Sequence, residues 1–293
     1  MSGAIAALRR DLGDNLFVRA GGGIVLTPGG QRLASIAAEI LGLGDRARRA
    51  VREARGEAAL LRVAATSDVS EHAAAALLNA FTRRAPNVEV SVAVEPGDAF
   101  ADLLGQRRAD VALGPRSAGD RALGLESVPF LRCRQVVVAG RRHRLAGAGE
   151  LAPSALAGER WLVGPAGVAP TTPTGRFLAR ARLDPSEVLA FPSDAAAVSA
   201  AADGEGVMLA IAHAVLPALR GGRIVHLHVR GTPVDDLWHA STLAPDRRTD
   251  AAWALRRFVT TPEATQAMLS GGEGVPAGRF RPTTYVTLWS EPG

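Results

Sequence analysis

The chain has 293 residues, of which 47% are apolar, so it has enough length and apolar material for about two folded domains. Its formal net charge of +5 permits an anionic partner such as DNA without requiring one. It has no apolar run long enough for a membrane span, no signal-peptide pattern and one cysteine, Cys133, which excludes an internal disulfide switch and predicts a cytoplasmic protein.

The first elements are a predicted helix and a predicted hairpin. Ile5, Leu8 and Leu12 recur at helical spacing, and Gly13 follows as a suitable residue to end the helix. Two short apolar runs, 16–18 and 24–26, then flank three glycines. This pattern is typical of a small β-hairpin.

A long helix is predicted to begin at Thr27 and Pro28, which suit the N-cap and first helical positions. From residue 33, apolar or small residues recur at alternating steps of four and three, which indicates a coiled-coil seam. The seam residues are Leu33, Ala37, Ile40, Gly44, Ala47, Val51 and Ala54. A seam between two subunits is the preferred interpretation, with 33, 37, 40, 47 and 51 as its contacts. Because several of its residues are small, a helix packed on its own domain remains the alternative.

Beyond Gly56 the pattern alternates between strands and helices, which predicts parallel β-sheet with covering helices. The first series is strand 60–66, helix 68–84, strand 88–94, helix 99–107 and strand 109–114. The second is strand 134–140, strand 161–164, a helix from Thr172, strand 188–191, helix 194–202 and strand 206–212. Two strands, 223–229 and 237–244, and a helix within 251–259 follow. The sequence thus predicts two similar α/β halves, joined near 130–135 and 230–238.

Together these segments resemble the LysR-type transcriptional regulators from Ser2 to about Leu269. The resemblance is carried by S..I..LRRDLG..LFVR with LTPGG, LRVAAT, LLNAFTRRAPNVEV, GQRRADVALG, SDAAAVSAAADGEGVMLA and GGRIVHLHV. Each segment alone is weak evidence, but their order and spacing are specific.

The resemblance implies an α/β chain in three parts. These are a partial winged helix-turn-helix at 1–27, a linker and dimerisation helix at 28–57, and an effector-binding domain at 58–269 like a periplasmic binding protein. Within that domain, subdomain one is 60–132 with 238–269, and subdomain two is 133–237. Residues 270–293 form an additional tail. The family's assembly implies a homodimer or homotetramer.

Candidate effector contacts lie around the cleft that the two subdomains would form, because ligands of open parallel sheets bind beyond the carboxyl ends of the strands. They are Thr66, Ser67, Gly114, Phe130, Thr171, Thr172 and Ser193. The resemblance implies that Thr66 and Ser193 offer hydroxyls to an effector. Capping of helices is the alternative for each hydroxyl. Because helix N-termini and arginines are expected there, the prediction is a small anionic effector.

The resemblance implies that residues 2–12 form the recognition helix and residues 16–26 the wing. The DNA contacts would then be Ser2, Arg9, Arg10 and Arg19. The outward residues of the helix are Gly or Ala, so base readout is limited and DNA binding is predicted to be weak. A helix-turn-helix needs an earlier helix behind the recognition helix. We therefore expect the protein to begin about 30 residues upstream. A ligand-binding or co-regulatory protein without autonomous DNA binding is the alternative.

The sequence contains little that indicates a metal site or a catalytic site. His226 and His228 alternate on one predicted strand, but a third metal ligand is not evident. No nucleophile elbow, Walker motif or dinucleotide fingerprint occurs. The sequence predicts neither an enzyme nor a metal, a cofactor or a membrane partner.

Overall fold

The computed structural model describes residues 2–20, 22–116, 119–185 and 187–269. The predicted tail at 270–293 lies outside these ranges. The described residues form an N-terminal helix and hairpin, a long helix, and a nine-stranded mixed sheet covered by helices. In this part of the chain, no helix combines the length and apolarity needed to cross a membrane.

The N-terminal helix and hairpin form as the sequence predicts. Helix α1 (Ser2–Leu12) precedes strands β1 (Phe17–Ala20) and β2 (Gly23–Leu26), which pair antiparallel. Within α1, Leu8 and Leu12 are exposed. The apolar stripe of this helix is therefore largely open to solvent.

Helix α2 (Pro28–Glu53) begins where the capping residues predict, and the hydroxyl of Thr27 accepts a hydrogen bond from the Gly30 N–H at 2.9 Å. One face of α2 packs on the α/β domain that follows it in the same chain. There Gly42 is so close to that domain that a Cβ would lie 2.4 Å from the carbonyl oxygen of Gln106. On the same face, Arg46 donates to the backbone carbonyls of Arg247 and Arg248.

The predicted seam lies on the opposite side of α2. Ile40 is 62% exposed and Val51 is 54% exposed, and Ala47 is also exposed, whereas Leu33 and Ala37 are partly buried. The alternative of a helix packed on its own domain thus applies to one face of α2. The seam between two subunits stays a prediction for the opposite face, most of which is exposed.

The main sheet has the strand order β4-β3-β5-β11-β6-β9-β7-β8, with β10 paired to β6. Its strands are β3 (Ala59–Ala65), β4 (Val88–Val94), β5 (Val111–Gly114), β6 (Glu126–Gly140), β7 (Arg160–Val163), β8 (Glu187–Ala190), β9 (Val207–Ile211), β10 (Ile224–Leu227) and β11 (Val234–Thr242). Strands β3, β4 and β5 are parallel to one another, as are β7, β8 and β9. The antiparallel pair β6 and β11 runs through both halves.

The two crossover strands correct the sequence prediction. Strand β6 begins at Glu126 rather than 134, and β11 spans Val234–Thr242 rather than 237–244. The register between them shifts at Trp238 and His239, which leaves Phe130 as an extra residue beside Pro129. A proline cannot donate a ladder hydrogen bond, and a bulge accommodates it. The first half of β6 contains polar residues and a proline, so its sequence does not show a strand pattern and was not predicted as a strand.

Helices cover both faces of the sheet. They are α3 (Ser67–Val69), a π-helical turn (Ser70–Ala74), α4 (Ala75–Arg84), α5 (Phe100–Gly105), α6 (Pro173–Ala181), α7 (Asp194–Ala202), α8 (Ala212–Arg220), α9 (Asp250–Phe258) and α10 (Pro262–Leu269), with 3₁₀ turns at Gly97–Ala99 and Pro153–Leu156. The sequence analysis missed α8, whose Pro217 argues against a helix, and α10. It also predicted one uninterrupted helix where α3, the π turn and α4 follow one another.

Candidate functional site

A cleft with an empty volume of about 430 Å³, part of it open to solvent, lies where the two halves of the sheet meet. It is bounded by the residues that follow β3 and β7 and by the first turns of α6 and α7. The lining residues that matter below are Asp68, Gln135, Gly164, Thr172 and Asp194. This is the position that the carboxyl ends of parallel strands predict for a ligand.

Two of the predicted hydroxyls cap helices. Thr172 lines the cleft, and its Oγ1 accepts from the Gly175 N–H at 3.1 Å and donates to the Ala169 carbonyl at 2.8 Å. The Oγ of Ser193 accepts from the Ala196 N–H at 3.1 Å. The capping alternative therefore applies to both side chains, and an additional contact to an effector stays a prediction.

Thr66 differs from these two hydroxyls. Its Oγ1 is buried and, among the described residues, makes no hydrogen bond of ordinary geometry. Gly114 makes this approach possible, because a Cβ there would lie 3.0 Å from Thr66 Oγ1 and 2.8 Å from the Phe100 ring. Ser67, the next residue, begins α3 and is half-buried. A poorly satisfied buried hydroxyl costs free energy, so Thr66 is the predicted contact with most to gain from a ligand.

Of the seven predicted effector contacts, only Thr172 belongs to the described cleft lining. The others lie outside it, namely Thr66, Ser67, Gly114, Phe130, Thr171 and Ser193. Phe130 is 1% exposed and packs in the core of subdomain one, with its ring 6.4 Å from that of Trp238. Thr171 is exposed, and its carbonyl accepts a hydrogen bond from Arg176. The structure does not bring these two side chains together with Thr66.

The charge of the described lining is negative. Burial raises the pKa of Asp68, and the Asp236 and Asp194 carboxylates raise it further, although the Thr66 hydroxyl acts in the opposite direction by stabilising the charged form. The guanidinium of Arg176 is paired with Asp236 at 2.9 Å and does not line the cleft. The described lining thus contains no arginine, which the prediction of an anionic effector requires. Its acidic residues favour an effector that is not simply an anion.

Sequence analysis missed a contact that joins the two subdomains. Glu71, in the π turn of subdomain one, accepts the N–H of Asp194 at 3.1 Å with each carboxylate oxygen and the N–H of Ala195 at 3.4 Å. A carboxylate from one subdomain thus occupies the N-terminus of α7 in the other, which favours negative charge. The available signal was that Glu71 and Asp194 both lie in the first turns of helices that follow strands.

Two histidines lie beside this contact. His72 Nε2 is 3.6 Å from Asp194 Oδ2, and the ring of His72 lies 6.3 Å from that of His213 on α8. Burial, and secondly His72, lowers the pKa of His213 to about 4. A second cavity with an empty volume of about 640 Å³ opens next to them, with His72 and Asp194 in its wall and apolar side chains of α7 and α8 further in.

Two α/β halves joined by a pair of long crossing strands, with a cleft at the junction, define a two-lobed effector-binding domain like that of periplasmic binding proteins. Residues 54–262 match the LysR substrate binding domain family. The chain belongs to the LysR family of transcriptional regulators, and the predicted non-enzymatic regulator is confirmed.

Similar proteins agree with this assignment. The chain is 39% identical over 290 residues to an uncharacterised HTH-type transcriptional regulator of Mycobacterium tuberculosis H37Rv, and the match covers 98% of this chain and 89% of that protein. The regulatory domain of Synechocystis PCC6803 CcmR in complex with 2-PG is similar in fold, with a TM-score of 0.59 and 22% identity over 68% of this chain and 95% of that chain. Full-length LysG from Corynebacterium glutamicum with bound effector Arg has a TM-score of 0.57 and 19% identity over 92% of this chain and 87% of that chain.

Proposed function

We propose that this LysR-type regulator binds a small polar effector in the cleft between its subdomains and binds promoter DNA through its N-terminal helix and hairpin, as a homodimer or homotetramer in the cytoplasm. The observation that carries the effector site is the carboxyl group of Asp68 in the cleft lining at the junction of the two halves, with the buried Thr66 hydroxyl close enough to stabilise its charged form. CcmR with 2-PG and LysG with Arg support a small-molecule effector for this fold.

The effector we favour presents an amine or other hydrogen-bond donors to Asp68 and Asp194. Two carboxylates in the lining attract a positive group and repel an unaccompanied anion. The N-terminus of α7, where an anion was expected, already holds the Glu71 carboxylate. The acidic lining requires a positively charged group on the ligand, so a cationic or zwitterionic metabolite fits this cleft better than a purely anionic one.

A ligand screen tests this proposal. Thermal unfolding of the full chain is followed with panels of cationic, zwitterionic and anionic metabolites, because a ligand of the folded state raises its melting temperature. For a ligand found in this way, Thr66→Ala and Asp68→Asn each weaken binding by about 1–3 kcal/mol in calorimetry, since the first removes a hydroxyl and the second removes the negative charge of a hydrogen-bond acceptor. Thr260→Ala, which removes a hydroxyl bonded to the Arg257 carbonyl just beyond α9, leaves the affinity unchanged. Unaltered affinity in both cleft variants would exclude this site.

DNA binding is assigned to exposed arginines at the N-terminal end. Arg9, Arg10 and Arg19 are exposed, and Arg9 lies over the Phe17 ring at 5.2 Å, which ties the helix to the hairpin. Ser2 begins α1, and its side chain lies outside the described residues. The outward residues of α1 carry little readout capacity, so phosphate contacts supply most of the affinity.

Salt titration of DNA binding tests this assignment. Arg10→Ala and Arg19→Ala each reduce the slope of log K against log salt by about 0.9 for every phosphate that the protein no longer neutralises. Arg220→Ala, at the end of α8 in subdomain two, serves as the control because it removes the same charge. A protein that regulates without DNA binding of its own would show no salt-dependent binding in this titration.

A further inference from the structure

We propose that Glu71, His72 and Asp194 form a binding site for one divalent transition-metal ion at the junction of the two subdomains. The site lies beside the effector cleft and shares Asp194 with the cleft lining. Its three side chains offer one nitrogen and two oxygen donors, a set that suits Zn²⁺ and its neighbours in the first transition row.

The positions of the donor atoms fit a shared ion. One atom from each of the three side chains lies within 4.8 Å of the other two. His72 Nε2 and Asp194 Oδ2 are 3.6 Å apart, which is too long for a hydrogen bond. Two donors that each lie about 2.0–2.2 Å from a tetrahedral Zn²⁺ are separated by roughly 3.3–3.6 Å. The observed His72–Asp194 spacing therefore falls at the upper end of the range for two ligands of one metal ion, and it is also that of an ion pair.

Glu71 is held in place by backbone groups of the other subdomain. Its carboxylate accepts N–H groups of Asp194 and Ala195, and a carboxylate has about four acceptor positions, so one remains for a metal ion. Hydrogen bonds of this kind orient metal-bound carboxylates and are found around established metal sites. The same contacts that join the subdomains thus pre-position one ligand.

The surroundings leave room for a further ligand. The ring of His213 lies 6.3 Å from that of His72, and its Nδ1 is buried without a hydrogen bond among the described residues. Arg223 lines the adjoining cavity and is the cation that faces the site from that side. Three protein ligands leave a coordination position for water or for a ligand in the cavity.

A metal ion at this place would hold the two subdomains together. Glu71 and His72 belong to the π turn of subdomain one, whereas Asp194 begins α7 of subdomain two. Binding requires all three donors, so the ion binds the arrangement in which the subdomains are in contact and shifts the population toward it. The metal would then be a second input to the regulator, separate from the organic effector.

Titration with the metals alone tests the proposal. The full chain is freed of metal with a chelator, and binding of Zn²⁺ is measured by calorimetry, with Co²⁺ as a spectroscopic probe of the coordination geometry. We expect one ion per chain. His72→Ala and Asp194→Asn each weaken binding by more than the roughly 10- to 100-fold that loss of an outer hydrogen-bonding partner costs. Glu71→Gln, which keeps an acceptor for the α7 N–H groups but lacks the charge, weakens it as well.

The control is the other close histidine pair of the chain. The rings of His226 and His228 lie 4.3 Å apart, on β10 and on the residue after it, and neither histidine belongs to the group of three possible metal ligands found among the described residues. His226→Asn with His228→Asn leaves the high-affinity site intact, and thermal unfolding in chelator checks that every variant is folded. Wild-type affinity in His72→Ala and Asp194→Asn, or loss of binding in the His226 and His228 variant, overturns the proposal. These outcomes do not depend on whether the cleft binds the effector we favour.

Discussion

Two side chains at the junction of the subdomains, Asp68 and His213, have pKa values that burial shifts away from their ordinary values. The pKa of Asp68 is raised chiefly by burial, and the pKa of His213 is lowered to about 4 by burial and by His72. Both shifts disfavour the charged form of a group that has left water. The junction is therefore sensitive to protonation, because charging either group disturbs the packing between the subdomains.

The His213 shift predicts a pH dependence of stability. A histidine with a lowered pKa stabilises the folded state above its unfolded pKa near 6.5, and this contribution is lost as the pH falls toward 4. For wild type the loss amounts to up to about 3 kcal/mol. We expect the free energy of unfolding of His213→Asn, measured with urea, to fall less between pH 6.5 and 4. His228→Asn is the control, and identical pH dependence of wild type and His213→Asn would contradict the prediction.

Among the elements, α2 connects the N-terminal helix and hairpin to the effector-binding domain and also packs on that domain. Its buried face contains Gly42 against the Gln106 carbonyl, and Arg46 hydrogen-bonds the 247–248 backbone. The close approach requires a residue without a side chain at position 42. Two residues further on, Gly44 has nothing within 4 Å of the position of a Cβ.

These two glycines give a matched pair of substitutions. Gly42→Ala places a methyl group against backbone that cannot give way easily, and we expect it to destabilise the protein by about 1–3 kcal/mol. Gly44→Ala adds the same methyl group in open space and, because alanine favours helix more than glycine, stabilises by up to about 1 kcal/mol. Thermal unfolding of both variants checks the difference. Equal effects would show that α2 does not dock on its own effector domain in solution.

For the whole molecule, the exposed face of α2 is the surface on which the proposed oligomer depends. Ile36, Ile40, Leu43 and Val51 are all more than two-fifths exposed along this face. An apolar stripe of this kind at heptad spacing is stabilised when a second helix covers it. In a homodimer with two-fold symmetry, the same helix of a second copy of the chain would cover this stripe.

Charging this stripe should separate the subunits. Ile40→Glu places a charge that must lose water without a partner in the interface, and we expect sedimentation to show monomer while circular dichroism stays that of the wild type. Ile24→Glu is the control, because Ile24 is 75% exposed on the hairpin and lies outside the seam. An unaltered oligomer in Ile40→Glu would move the interface to another surface.

Local sequence patterns alone were sufficient to predict much of this chain. The Thr27–Pro28 cap, the start of α2 and most strands followed from residues close together in the chain, because caps and periodicity depend on neighbours. The resemblance to the LysR family added the two-lobed arrangement and the cleft. The helix α8 was missed because Pro217 masks it, and the first half of β6 because Pro129 and polar residues interrupt its pattern.

Which side chains come together in the cleft could not be predicted from the sequence and depends on the tertiary structure. Glu71 and Asp194 are 123 residues apart, and no local pattern indicates that a carboxylate from one subdomain will bind the N-terminus of a helix in the other. Phe130 was predicted at the cleft because it lies near a strand end. The bulge and the pairing of β6 with β11 instead direct its side chain into the core. Side-chain direction and long-range pairing depend on how the whole sheet packs, and this information is shared among residues far apart in the sequence.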